Sequence, residues 1–329
     1  MSDASLLSPY PSPDAREDEL DRLAARAGAE VIVYGESVER RPLRAARVPA
    51  RAAKATRLLC SANIHGIEYI GGRVALGLLA ACAEPEGPLA ALLERCELWV
   101  IPCLNPDGYA RTWAASGQAA RLSELRANAR GVDLNRNFPL PHGARPTRLP
   151  AAGSDRPGDA TYRGPAPLSE PETAHLDTLL QAQRFHASAN LHSFMGTVIP
   201  ARVTGRAPYK AYRGLARAFA AAQTQARYRR LASRVFDVFT GEQEDHQHHA
   251  RDCWAVCVEV FPVLSSLRQH WRAPSRFWRF NPHDPRPWVE SDRAAVIAYF
   301  QAALELPRPS AMRARALAPA RDGGDRRDP

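Results

Sequence analysis

The sequence predicts an α/β fold: a single domain on one mixed, mostly parallel β-sheet with helices on both faces. Three observations carry that expectation. Short apolar runs that read as buried strands, such as residues 57–62 and 254–261, alternate with segments of helical periodicity, the order found when helices cover both faces of a sheet. The chain has 329 residues and 45% hydrophobic content, enough for one large core without disulfide or metal staples. No apolar run is long and uncharged enough to span a bilayer.

The elements follow in order. Residues 1–28 form an N-terminal extension, punctuated by Pro9, Pro11 and Pro13 and helical in character over 16–27. Residues 31–34 are a short β-type run that stops at Gly35. Residues 57–62 read as a buried strand, 68–83 as an apolar-faced helix and 97–104 as a second strand. Residues 105–168 are rich in Gly, Pro and Arg with little periodicity, and so long an irregular stretch inside a domain is usually functional. Ser169-Glu170-Pro171-Glu172 reads as a capping box with proline in the first turn, opening a helix to about 184. A strand over 185–192, a helix over 211–234, the apolar strand 254–261 and a closing helix over 288–306 complete a domain of residues 29–306. The tail 307–329 has no apolar face and is expected to be disordered.

Lys+Arg number 44 against 35 Asp+Glu, a formal charge of +9, and the excess is arginine, since only Lys54 and Lys210 are lysines. The arginines are spread along the chain rather than gathered into a basic block or module, so no nucleic-acid partner and no membrane partner are expected. Cys60, Cys82, Cys96, Cys103, Cys253 and Cys257 lie mostly in apolar segments without C-x-x-C spacing and read as thiols of a reducing compartment. Met1-Ser2-Asp3-Ala4-Ser5 has no basic segment leading into an apolar core, and a cytoplasmic location is the expectation.

Three features that carry chemistry stand at the ends of expected strands. His65 and Glu68 are three residues apart at a turn into a helix, where an imidazole and a carboxylate can converge on one Zn²⁺. His192 closes another strand and is the kind of distant third ligand that leaves a zinc position open for water. Glu259 lies within the apolar run Trp254-Ala255-Val256-Cys257-Val258-Glu259-Val260-Phe261, where desolvation should raise its pKa toward that of a general base.

Between these features stand Asn105-Pro106-Asp107-Gly108 and Gly131-Val132-Asp133-Leu134-Asn135-Arg136-Asn137. In this order the set resembles the zinc carboxypeptidase family of metallopeptidases, over about two thirds of the chain. The resemblance implies that family's α/β fold, one Zn²⁺ per chain and hydrolysis of an amide bond beside a C-terminal, carboxylate-bearing residue of a peptide or muropeptide. It implies His65, Glu68 and His192 as metal ligands and Glu259 as general base and proton shuttle. Asn135 and Arg136 match the pair that holds a terminal carboxylate, a task suited to the guanidinium fork. Arg126 matches the arginine that polarises the scissile carbonyl, with Arg130 and Arg111 close by in sequence. Counting back fifteen positions from Glu259 gives Glu244 as the residue facing the departing side chain, with Gln243 or Asp245 there if the register is shifted by one; an acid at that place goes with basic leaving residues.

The family's substrate-closing tyrosine has no counterpart in its usual window, which holds Phe236, Asp237, Val238 and Phe239, and Tyr228 lies too far upstream. Either His246, His248 or His249 supplies that contact or the substrate does not need it, and the histidines are also a candidate second metal site. The absence of a secretory segment brings the chain nearer to intracellular members such as murein peptide amidases than to secreted digestive enzymes. Three rivals stand beside this reading: an N-acyl amino acid deacylase of the aspartoacylase or succinylglutamate desuccinylase type, a catalytically dead peptide-binding protein and an arginine-rich nucleic-acid binder. The oligomeric state is not legible.

Overall fold

The computed structural model describes residues 6–52, 55–145, 149, 152–232, 239–272 and 275–312. Eight strands form one sheet in the order β1-β2-β4-β3-β5-β8-β6-β7. They are β1 (Glu30–Glu36), β2 (Pro42–Val48), β3 (Thr56–Ala62), β4 (Cys96–Ile101), β5 (Ala187–Ser193), β6 (Thr197–Pro200), β7 (Arg229–Arg230) and β8 (Trp254–Val260). The helices are α1 (Pro13–Ala27), α2 (Tyr69–Ala81), α3 (Pro88–Leu93), α4 (Pro106–Ala114), α5 (Leu122–Arg126), α6 (Pro171–Gln183), α7 (Arg206–Ala222), α8 (Gln243–His249), α9 (Val263–Arg272), α10 (Arg276–Phe280) and α11 (Arg286–Leu304). The central strands β4, β3, β5 and β8 are parallel, while β1 and β2 at one edge and β6 on β8 pair antiparallel. The sheet is therefore mixed and mostly parallel, as the sequence led one to expect.

Strand periodicity sorts the central strands onto two faces. Leu58, Cys60 and Ala62 of β3, Ala187, Ala189 and Leu191 of β5, and Trp254, Val256, Val258 and Val260 of β8 share a core with α1, α2, α7 and α11. On the other face Leu59, Trp99, Ile101 and Ala255 meet Leu176, Leu179 and Leu180 of α6. That second face changes character along β5 and β8, where Ser188, Asn190, His192, Cys257 and Glu259 alternate with the apolar set. The functional face is thus part of the sheet itself.

Several elements differ from expectation. β2, β6, β7 and helices α3, α4, α5, α8, α9 and α10 are not among the expected elements, and the helix expected over 211–234 runs over Arg206–Ala222 instead. It stops because Gln223 turns its amide onto Tyr228 N and Asp292, while Ser291 Oγ accepts from Thr224 N and Gln225 N. The capping box at Ser169 is not made. Ser169 Oγ bonds Asn137 and Glu170, and Glu172 accepts from Val38 N and Asn128. Tertiary partners for both polar ends outcompete the local cap.

The N-terminal segment packs on the domain, with Leu7, Tyr10, Leu20, Leu23 and Ala24 in the main core. Of the tail, residues 313–329 lie outside the described residues; Pro307 accepts from Trp254 Nε1 and Ser310 bonds Asp252. All six cysteines are unpaired, and Cys82 alone of them is not fully buried. Among the described residues no helix is long and apolar enough to cross a membrane. Much of the arginine surplus is held in ion pairs, including Arg47 and Arg57 on Glu97, Arg44 on Glu17 and Arg251 on Asp177.

Candidate active site

The turn after β3 brings His65 and Glu68 beneath the end of β5. His65 Nδ1 lies 2.8 Å from Glu68 Oε1, His192 Nδ1 lies 3.3 Å from His65 Nδ1, and His192 Nδ1 lies 3.1 Å from Glu68 Oε2. All three residues are buried. Two imidazole nitrogens at 3.3 Å and a carboxylate between them are spaced like the edges of a tetrahedron whose centre lies about 2.0–2.2 Å from each donor. Glu68 Oε2 accepts no hydrogen bond, and the donor set of two imidazoles and one carboxylate fits zinc.

The charges around this triad are matched to a cation. Burial alone would raise the Glu68 carboxyl, but His65 and His192 hold it below its ordinary value. Burial lowers His192, which favours the neutral ring that can offer a lone pair. His65 Nε2 is 3.1 Å from Asp133 Oδ1, and Asp133, although buried, is held well below the carboxylate range by Arg126 and then by His65. Such an outer carboxylate fixes the ring and leaves Nδ1 as the donor. Asp133 stands inside the Gly131–Asn137 motif, but its role was not read from the sequence because its partner lies 68 residues away. Asp133→Asn is expected to weaken zinc retention roughly 10–100-fold, measured by metal content after dialysis against a graded chelator; unchanged retention would show that this bond does not orient His65.

Glu259 pairs with His192 across the β5–β8 ladder. Its Oε2 is buried without a partner, and burial together with the neighbouring Glu68 carboxylate pushes it up to about 8. The three arginines near the triad in sequence separate clearly. Arg126 bonds Asp133 Oδ2 at 2.9–3.0 Å and stands 3.8 Å from Glu68. Arg111 donates instead to Ala127 O and Asn128 O, and Arg130 is exposed against Ser169 and Glu170. Only Arg126 of these faces the triad.

Asn135 Oδ1 accepts from Gln243 N, turning the amide NH₂ the other way. Arg136 donates to Ala152 O and Asn135 O and pairs with Glu242 at 3.3 Å. Both sit where the loop before α8 crosses the motif: Phe138 N bonds Gly241 O, and a Cβ on Gly241 (φ +91°) would lie 2.5 Å from Arg136 O. The Asn105-Pro106-Asp107-Gly108 run is scaffolding. Asn105 caps α4 and donates to Ile64 O, and Gly108 lies so close to Gly66 that a Cβ there would come within 2.4 Å of its backbone.

Helix α8 is locked to the sheet by amides. Gln243 Nε2 donates to Ser61 Oγ and Asn190 Oδ1, Asn190 donates to Gln247, and Gln247 to Ser188, all at 2.8–3.0 Å. Gln243 is held there by its NH₂, with its Oε1 left without a partner, and Asp245 accepts from Arg202 N. Glu244 remains: it is buried, its Oε2 has no partner, and burial with Glu242 and Asp245 beside it raises it well above the carboxylate range.

The histidines of α8 do not form the second metal site or the tyrosine's substitute. His246 pairs with Asp177 and stacks on Phe138, His248 bonds Tyr212, and His249 bonds Arg202 O. Tyr228 is also spent elsewhere, donating to Asp292 and accepting from Phe261 N. Phe239 packs on His249 and Arg202, and Phe236, Asp237 and Val238 lie outside the described residues.

Residues 17–263 match the family model for zinc carboxypeptidase, three quarters of the chain and every residue of this site. The chain belongs to the zinc carboxypeptidase family. Zinc is the cofactor of that family, and the His65, Glu68 and His192 cluster is a place for it in this member. Mast cell carboxypeptidase A of Rattus norvegicus is 27% identical over 176 residues, 50% of this chain and 41% of the relative. The chain thus spans less than half the length of that relative. Among solved structures, thrombin activatable fibrinolysis inhibitor superposes with a TM-score of 0.73 at 19% identity, over 92% of this chain and 78% of that one. Carboxypeptidase A of Helicoverpa armigera superposes with a TM-score of 0.69 at 18% identity, over 90% and 74% of the two chains. At such identities the superpositions speak for the fold.

Proposed function

We propose that the chain is a zinc-dependent hydrolase that releases a C-terminal residue from a peptide or muropeptide. The observation that carries this reading is the meeting of His65, Glu68 and His192 donor atoms beside the half-buried Glu259, whose Oε2 is buried without a partner. His65, Glu68 and His192 hold the metal. Zinc, when bound, supplies Lewis acidity and a water acidic enough to ionise near neutral pH. Glu259 takes the proton of the attacking water and returns it to the leaving amine. Arg126, fixed by Asp133, stabilises the oxygen on which charge develops, a contribution of about 3 kcal/mol for one such donor. Asn135 and Arg136 hold the terminal carboxylate. Six unpaired cysteines suit a reducing compartment such as the cytoplasm.

Glu244 is the selector for the departing side chain in this reading. Burial raises the Glu244 carboxyl, whose Oε2 is spare; an ammonium or guanidinium brought to it favours the carboxylate, and an apolar side chain gains nothing there. Lysine, arginine or a diamino acid is the leaving residue.

The test gives zinc-loaded protein peptides ending in Lys, Phe or Leu, as acids and as amides, with muropeptides and an N-acyl amino acid alongside, and identifies products by mass. Single residues should be released from the acids, Lys ahead of Phe and Leu, and Glu244→Gln should cut that preference roughly 10–100-fold, the worth of a charge-assisted hydrogen bond. A wild-type preference for Phe or Leu would remove Glu244 as selector. Cleavage of the N-acyl amino acid alone would favour a deacylase, and bound zinc without any hydrolysis a peptide-binding protein.

A further inference from the structure

Asn281 lies between α10 and α11 and has no part in the reading above, yet its side chain closes on the turn that carries Glu68. Its Oδ1 accepts from Ile70 N at 2.9 Å, and its Nδ2 donates to Ile67 O at 2.8 Å and to Phe277 O at 3.0 Å. These partners leave the amide one orientation, since a backbone N–H only donates and a carbonyl only accepts. Asn281 is fully buried. Its own backbone is pinned as well: Asn281 N donates to Phe277 O, and Asn281 O accepts from Gln269 Nε2 of α9. The next carbonyl, Pro282 O, accepts from the hydroxyl of Tyr10 in the N-terminal segment. Two bonds thus grip the backbone on either side of Glu68 from a loop more than two hundred residues away.

The place of these bonds gives them their consequence. Glu68 is the residue at the N-cap of α2, with φ −90° and ψ 64°, and its side chain makes no capping bond. A side-chain oxygen at that position ordinarily accepts from the N–H two or three residues on, and the positive end of the helix draws a carboxylate to it. Ile70 N is such a donor, two residues past Glu68. Left to itself, the Glu68 carboxylate would turn back onto Ile70 N and away from His65 and His192, whose Nδ1 atoms lie 2.8 Å from its Oε1 and 3.1 Å from its Oε2. We propose that Asn281 is a positioning residue for the metal site: it makes the cap that Glu68 would otherwise make, so that both Glu68 oxygens stay with the two histidines. The first half of the turn is held locally, by Asn63 Nδ2 on His65 O at 2.6 Å. The second half depends on Asn281. This role rests on the reading of Glu68 as a zinc ligand.

The experiment measures zinc affinity of the full-length protein and of Asn281→Ala by competition with a chromophoric chelator. Ser291→Ala serves as the control, since it removes a buried hydroxyl of α11 that bonds Thr224 N and Gln225 N and no residue of the site. Asn281→Ala should bind zinc roughly 10–100-fold more weakly, the usual loss when a group that orients a metal ligand is removed, and Ser291→Ala should bind it as the wild type does. Cobalt loaded in place of zinc reads the ligand set directly: its visible absorption should change in Asn281→Ala and not in Ser291→Ala. Should Asn281→Ala not fold, hydrogen exchange of the Ile70 amide in the wild type carries the test, with slow exchange expected in the metal-free and the zinc-loaded protein alike, because Asn281 is the acceptor in both. Unchanged affinity and cobalt spectrum in Asn281→Ala, equal losses in the two variants, or an Ile70 N–H that exchanges fast once the metal is removed would each overturn the role. A wild type that binds no zinc, or a Glu68→Gln variant that binds it fully, would count instead against the metal-site reading, so the two failures are told apart without Asn281.

Discussion

Glu259→Gln is expected to lower kcat/KM by roughly 10²–10⁴-fold, the usual worth of a positioned general base, while the protein keeps its zinc. Both halves follow from where the residue sits. The Glu259 carboxylate is registered opposite His192 on the adjacent strand but does not belong to the cluster of His65, Glu68 and His192, so an amide of nearly the same shape leaves the metal donors in place. What the amide cannot do is accept a proton at neutral pH. In the metal-free chain burial and then Glu68 push Glu259 up to about 8, and a dication among those groups acts in the opposite direction by favouring the carboxylate. The wild-type rate should therefore fall as pH drops through the Glu259 pKa, where the carboxylate takes up a proton. Turnover and metal content measured on the same sample decide the matter: near wild-type rates in the variant would end the general-base assignment.

How much of this was legible in the sequence depended on whether a residue's reason for being there is local. β8 could be read directly because a strand buried on both faces is apolar almost throughout, and Glu259 stands out in it as a polar exception, whereas β5 alternates Ala187, Ala189 and Leu191 with Ser188, Asn190 and His192 and reads as a strand by that period. Helix α8 could not be read. Its seven residues, Gln243-Glu244-Asp245-His246-Gln247-His248-His249, carry no apolar stripe, yet all but the last are buried. It is buried through amides: Gln243 and Gln247, one turn apart, reach Ser61, Asn190 and Ser188 on the sheet. A pattern of hydrophobic residues cannot announce an element held by hydrogen bonds, and a histidine-rich polar run looks like a solvated loop or a metal site until Asp177 and Tyr212 appear beside it. The failed capping box at Ser169 repeats the lesson, since a local motif forms only when no distant group claims its side chains.

The pairing of Arg136 with Glu242 gives the last expectation its form. Arg136→Ala should cost acid-ended substrates about 2–5 kcal/mol in kcat/KM, because truncation leaves a desolvated carboxylate facing no cation; at about 1.4 kcal/mol per factor of ten this is roughly 30- to 4,000-fold. Arg136 is not idle before substrate arrives. It donates to Ala152 O and Asn135 O and sits 3.3 Å from Glu242, so an incoming carboxylate must share the guanidinium or displace Glu242. The backbone contacts fix the fork, and Glu242 keeps it charge-compensated. Arg136→Lys retains the charge without the planar fork and should fall between wild type and alanine, which separates loss of recognition from a general collapse of the loop. Glu242→Gln should act oppositely and lower KM for acid substrates by removing the competitor. Amide-ended peptides offer no carboxylate to the guanidinium, so they should be poor substrates for the wild type and little changed by Arg136→Ala. If acid and amide forms turn over equally in the wild type, the enzyme does not read a free C-terminus and Arg136 has another task.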